Sequence, residues 1–227
     1  MTAINLATFT DRISDRQLEQ LSRDNPETRF ETTPLGELII MSPQSRRLRS
    51  SSSTTGDAIA SRGSESGRKN TKLVFQVELW NFRENSGVTF DSSTGFKLSN
   101  GATRSPDVSW MKLESWQAIP KAQQRSFAPI DPDFASQRVV GVPPIVATDE
   151  GVIELMSPTD DLDELRNKMN EYISCGVKLG WLICPDEKQV EIYRQGERKK
   201  TLDNPGSLSG EDILPGLTVD LTDIFSD

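Results

Sequence analysis

Segments with a helical repeat of apolar residues alternate along this chain with short runs of two-residue period, and two stretches show neither. TDRISDRQLEQLSRDNP reads as a capped helix, with Thr10 and Asp11 near its start and Asn25-Pro26 at its end. RFETTPLGELIIMSP predicts a hairpin, with strands at 29–33 and 37–41 around a Pro-Leu-Gly turn. Residues 42–70 are rich in Ser, Gly and Arg with almost no apolar periodicity, which predicts mostly loop. From about Ser66, Leu73, Val74, Val77 and Trp80 recur at helical spacing through KLVFQVELWNFREN. Short strands follow at 88–90, 95–98 and 107–111, with Asn100-Gly101 turning the second into the third. KLESWQAIPKAQQRSF reads as a short helix with a loop, and residues 135–151, two prolines in an apolar stretch, as a surface excursion.

The last third is the most regular. A strand at 152–156 leads into a helix at 159–175, capped by Thr159 or Asp160 and closed by Gly176 at C′. GWLICP and KQVEIYRQ give two more strands about a Pro-Asp-Glu turn, and the C-terminus closes in short strand or turn pieces. The order of helix, antiparallel strands, then strand-helix-strand predicts an α/β fold with a mixed central sheet flanked by helices. At 227 residues, with no internal repeat, the chain suits a single domain, 1–227.

One position breaks the pattern. In Val-Ile-Glu-Leu-Met, Glu154 puts a carboxylate inside an apolar strand. An ionised carboxylate in a dry interior costs several kcal/mol unless it is paired or meets a cation. On the following helix, at ~100° per residue, Leu162, Leu165, Met169, Tyr172 and Ile173 share one face. Lys168 falls on its border, where the stem lies on the core and the ammonium reaches a strand end. Asp107 opens another strand directly after Arg104-Ser105-Pro106.

Composition narrows the chemistry. The chain has no histidine, which excludes imidazole-based triads and His-ligated zinc. Its two cysteines, Cys175 and Cys184, have no CxxC spacing and read as reduced thiols. A net charge of −8 argues against a bulk electrostatic nucleic-acid binder, though not against a local basic patch beside an acidic cation site. No apolar run is long enough to span a bilayer, and MTAINLATFTDRISD lacks the pattern of a signal peptide, so a cytoplasmic location is expected. Two carboxylates at adjacent strand ends make a hard oxygen site suited to Mg²⁺, and a neighbouring lysine orients water or stabilises charge on a phosphate. Asp160, Asp161, Asp163 and Glu164 suit the positive end of a helix dipole and read as structural.

The phrases GELIIMSP, VELWNF, FDSSTGFKLSNGATRSPDVSW, VIELMSP, KMNEYISCGVKLGWLICP and VEIYR, in that order, resemble the Uma2 family. That family is placed in the PD-(D/E)XK nuclease superfamily, so the resemblance implies a restriction-endonuclease-like core with an N-terminal helix and hairpin. It implies that Pro106-Asp107 is the PD motif and that Glu154 is its second acid. The usual lysine two residues on is replaced by Met156, which points to Lys168 on the next helix. Glu65 matches an acidic position at the start of the first core helix. Asp107 and Glu154 are then the metal-holding pair, with Mg²⁺ as cofactor and Mn²⁺ as a substitute. DNA is the implied substrate and a homodimer a plausible assembly. Relative to the family pattern, residues of about 44–60 and 135–151 interrupt the chain beside Glu65 and Glu154 and read as flexible insertions. Two alternatives differ in class. One is an inactive nuclease-fold protein holding nucleic acid through Arg46, Arg47, Arg49, Arg62, Arg68 and Lys69. The other is an acidic-pair glycosidase, which nothing beyond the carboxylates supports.

Overall fold

A computed structural model of the chain describes residues 13–25, 28–41, 64–129 and 150–226. The first helix, α1 (Asp15–Asp24), starts later than its sequence suggests, because Ser14 and Gln17 form a capping box ahead of it. The hairpin β1 (Arg29–Thr32) and β2 (Leu38–Met41) follows, then α2 (Ser64–Glu84), two residues longer at its start than the apolar repeat indicates. Next come β3 (Gly87–Asp91), β4 (Phe96–Lys97), β5 (Thr103–Arg104), β6 (Val108–Lys112), α3 (Leu113–Ala118), α4 (Lys121–Gln124) and β7 (Ala128–Pro129). The last part holds β8 (Glu150–Leu155), α5 (Leu162–Ser174), β9 (Leu179–Cys184), β10 (Gln189–Arg194), β11 (Lys200–Asp203), β12 (Ser207–Ser209), β13 (Thr218–Asp220) and α6 (Thr222–Phe225). Both expected insertions lie almost wholly outside the described residues.

The central sheet has six strands in the order β11-β10-β9-β8-β6-β3. It is mixed: β8 and β9 run parallel, joined through α5, and the other neighbours are antiparallel. Its middle strands read as near-continuous apolar runs because both faces are covered. Val108, Trp110, Ile153, Leu155, Trp181 and Ile183 face Leu73, Val77 and Trp80 of α2 and the C-terminal segment. Met111, Val152, Leu182 and Cys184 face Met169 and Tyr172 of α5, with Phe96 and Leu98 beside them. Gly180 permits this close approach, since a Cβ there would stand 2.5 Å from Met169 Cε. Both cysteines are buried and free, and Trp80, Trp110 and Trp181 are core residues. No helix among the described residues is long and apolar enough to cross a membrane.

A second sheet, β2-β1-β5-β4-β7, joins the N-terminal hairpin to the strands before β6. One face of β1 packs Phe30 against Leu18 and Leu21 of α1. The start of α5 corrects the expected one: Asp161, not Thr159 or Asp160, is the N-cap, accepting from the amides of Asp163 and Glu164. Asp160 instead accepts from Ser157 N, holding residues 157–160 as a turn outside the helix. The helix stops at Cys175, and Gly176 takes the left-handed φ of 109° that a C′ position favours.

Candidate active site

The site begins with strand register. β6 pairs antiparallel with β8, Val108 opposite Ile153. The ladder ends at that pair, and Asp107, in the bend just ahead of β6, lies close enough to Glu154 for its charge to raise that carboxyl. Glu154 is on the face of β8 that carries Val152, the face α5 covers, since Val152 and Met111 belong to its core. Asp107 is fixed from both sides: its Oδ2 accepts from Leu155 N at 3.0 Å and its Oδ1 from Arg29 Nη1 at 3.3 Å.

α5 brings two groups down onto Glu154. Lys168 Nζ lies 3.0 Å from Glu154 Oε1, and Tyr172 OH donates to the same oxygen at 2.9 Å. Lys168 is shared, with its ammonium also 2.9 Å from Glu31 Oε1 of β1. Glu31 in turn accepts from Ser105 N at 2.9 Å and pairs with Arg104 at 3.1 Å. Arg104 reaches back to α5 through Glu171, at 2.5 Å. Two sheets and a helix thus meet in one buried network. Arg29 is its opening to solvent, retaining 26% of its side-chain surface against 4% for Asp107.

The charges in this network are unequally balanced. Burial works against the charge of Glu31, but Lys168, Arg104 and the Ser105 amide outweigh it and hold its carboxyl below the usual range. Burial raises Glu154, Lys168 only partly opposes it, and Asp107 and Glu31 add to it, so its carboxyl is pushed up to about 7. Lys168 loses some charge stability to burial and regains more from Glu154 and Glu31, so it stays an ammonium. Burial, then the charge of Glu154, raises Tyr172 well above an ordinary phenol, which keeps it a donor.

Glu154 therefore sits where negative charge exceeds what nearby lysine and arginine supply. The donor chemistry fits a divalent cation: Mg²⁺ takes one or two carboxylates and completes its shell with water and phosphate oxygens. Among the described residues no three or more acidic or thiol side chains group as a self-sufficient metal cage. An ion here would keep an open shell, as catalysis on a bound substrate requires.

Of the four residues singled out in the sequence, Glu154 and Lys168 are in contact and Asp107 stands across the strand pair. Glu65 lies in the first turn of α2, exposed, with its carboxylate on Arg68 at 3.0 Å and near Lys69 at 3.7 Å. That pairing occupies two of the cations that were candidate phosphate contacts; Arg46, Arg47, Arg49 and Arg62 lie outside the described residues. Sequence reasoning missed Glu31, Arg29, Arg104 and Tyr172. The available signal was the Arg-Phe-Glu alternation of β1, which puts a cation and an acid on the face opposite Phe30.

A family model, Uma2, described as "Putative restriction endonuclease", matches residues 54–136 and 150–222. No curated protein matches the sequence. Among solved structures, one described as a "putative nuclease belonging to DUF820 from Anabaena variabilis" is 16% identical with a TM-score of 0.56. The match covers 87% of this chain and 89% of that one, and at this identity it establishes the shared fold.

Proposed function

This chain belongs to the Uma2 family, and we propose that it is a divalent-metal-dependent endonuclease that hydrolyses phosphodiester bonds in DNA. The observation that carries the reading is Glu154, an under-compensated buried carboxylate near Asp107 and in contact with Lys168. Asp107 and Glu154 would hold Mg²⁺, with Mn²⁺ as a substitute. The bound ion supplies Lewis-acid activation of water and neutralises charge on the phosphate. Lys168, held as an ammonium, donates toward the attacked phosphate and stabilises its developing charge. Tyr172 fixes the orientation of Glu154, and Leu155 N that of Asp107. Water's oxygen forms the new bond to phosphorus and gives up one proton to solvent, the bond to one sugar oxygen breaks, and that oxygen takes up a proton from solvent in turn. A two-fold dimer would present one site to each strand of a duplex.

One observation favours a second reading, a nucleic-acid binder without turnover: Arg29 already engages Asp107 Oδ1, so a cation of the protein's own competes for this carboxylate. One experiment separates the two. Purified protein is incubated at low salt with plasmid, single-stranded DNA and RNA, with Mg²⁺, Mn²⁺ or EDTA, while fluorescence anisotropy follows binding. The nuclease reading expects metal-dependent DNA cleavage that Glu154→Gln abolishes. Binding without cleavage under all metal conditions selects the second reading.

A further inference from the structure

We infer that Glu31 is a positioning residue for Lys168: it keeps the ammonium in the site when Glu154 is taken by another cation. The nuclease reading gives this its catalytic meaning, but the contact itself stands apart from that reading. Lys168 lies 2.9 Å from Glu31 and 3.0 Å from Glu154, so two carboxylates hold one ammonium. A cation arriving at Glu154 competes with Lys168 for that carboxylate. With Glu154 as its only acid, the lysine would be driven from the site by like-charge repulsion.

Glu31 is built to prevent this. It comes from β1, in a different sheet from Glu154, and is the most buried acid of the network, with 1% of its side-chain surface exposed. Its other partners are Arg104 and Ser105 N, neither of which belongs to the Asp107–Glu154 pair. Arg104 is anchored by Glu171, one turn from Lys168 on α5, so the lysine's own helix braces its second acid. The N-terminal hairpin thus contributes to the centre of the site, through the acid of the Arg-Phe-Glu alternation in β1.

The test replaces occupancy of Glu154 by its neutralisation, so it needs no metal. In protein carrying ¹⁵N at lysine Nζ, a buried, ion-paired ammonium exchanges slowly and gives a resonance, assigned by its absence in Lys168→Met. We expect the Lys168 resonance in the wild type, its persistence in Glu154→Gln, and its loss in the Glu31→Gln/Glu154→Gln double variant with the thermal transition retained. Loss in Glu154→Gln alone overturns the inference, and so does persistence in a folded double variant. The single-variant arm decides the matter even if the double variant does not fold. On DNA, Glu31→Gln is expected to lower kcat at least tenfold with little change in KM, and Glu31→Asp to restore part of it. If the wild type cleaves nothing, the nuclease reading fails while the ammonium measurement still judges Glu31.

Discussion

Two buried glutamates, one on each side of Leu182, show what distinguishes a structural acid from a reactive one. Glu154 on β8 and Glu191 on β10 both neighbour Leu182 of β9 in the register, and each is 3% exposed beneath α5. α5 serves both, sending Arg166 to Glu191 and Lys168 to Glu154. The surroundings then diverge. Glu191 accepts from Arg166 at 2.7 Å, Lys199 at 2.5 Å and Tyr193 at 2.6 Å. Burial raises its pKa, but these three donors prevail and pull it down to about 2. Glu154 shares its lysine with Glu31 and feels the charge of nearby Asp107. It ends near 7, on the other side of the ordinary carboxylate value. The enclosure differs too, since Lys168 is 8% exposed whereas Arg166 and Lys199 keep 35% and 40% of their side-chain surface. The mark of a functional acid is deep enclosure together with too few cations.

The comparison predicts opposite consequences for the same substitution. The largest effect is on turnover: Glu154→Gln should lower cleavage by at least ~10³-fold, as expected when a metal-holding acid is lost, whereas Glu191→Gln should leave it within about threefold. Plasmid nicking under Mg²⁺ reads both. The order reverses for stability. Removing Glu191 leaves Tyr193 without its acceptor and takes one partner from Arg166 and Lys199. These two cations keep 35% and 40% of their side-chain surface and Arg166 keeps Asp163, so water screens the loss to about 1 kcal/mol. Thermal unfolding should then show a Tm lower by roughly 2–4 °C. Glu154→Gln should leave Tm unchanged or raise it, because it relieves repulsion with Asp107 and Glu31.

The pH dependence of the metal-free protein sharpens the contrast. Glu154 binds its proton more tightly folded than unfolded, so its contribution is fully present below about pH 4.5 and fades as pH rises through about 7. Glu191 has the opposite sign, its contribution being present above about pH 4.5 and lost as pH falls toward 2. Melting curves in EDTA should therefore lose their decline between pH 5 and 7 in Glu154→Gln, and their acid limb should weaken in Glu191→Gln. The smallest effect is at the solvent opening: Arg29→Ala removes a competitor for Asp107 and should tighten Mn²⁺ binding about threefold, ~0.7 kcal/mol, by calorimetry.

Legibility in the sequence followed local pattern. Glu154 stood out because a carboxylate interrupts an apolar run, and Lys168 because a helical wheel sets it at the edge of a buried stripe. The central sheet was readable for the same reason, its strands being apolar on both faces. β5 and β7, two residues each, carry no periodicity, and β11 is an edge strand, Lys-Thr-Leu-Asp, largely exposed. Glu31 was hidden by a rule that ordinarily works. In β1, Phe30 marks an inward face, so its neighbours read as outward. Here that other face is covered as well, by Ser105, Arg104 and Lys168, which are distant in sequence. Glu191 was passed over in KQVEIYRQ although it interrupts an apolar strand much as Glu154 does. Telling a saturated acid from an under-compensated one requires the three-dimensional count of cations.

The central claim is that Asp107 and Glu154 form a divalent-cation site, and calorimetric titration of EDTA-stripped protein with Mn²⁺ tests it most directly. The account predicts binding by the wild type that tightens as pH rises through about 7, is lost in Glu154→Gln and in Asp107→Asn, and survives in Glu191→Gln. Absence of Mn²⁺ binding to the wild type, or unchanged binding in Glu154→Gln, would contradict it.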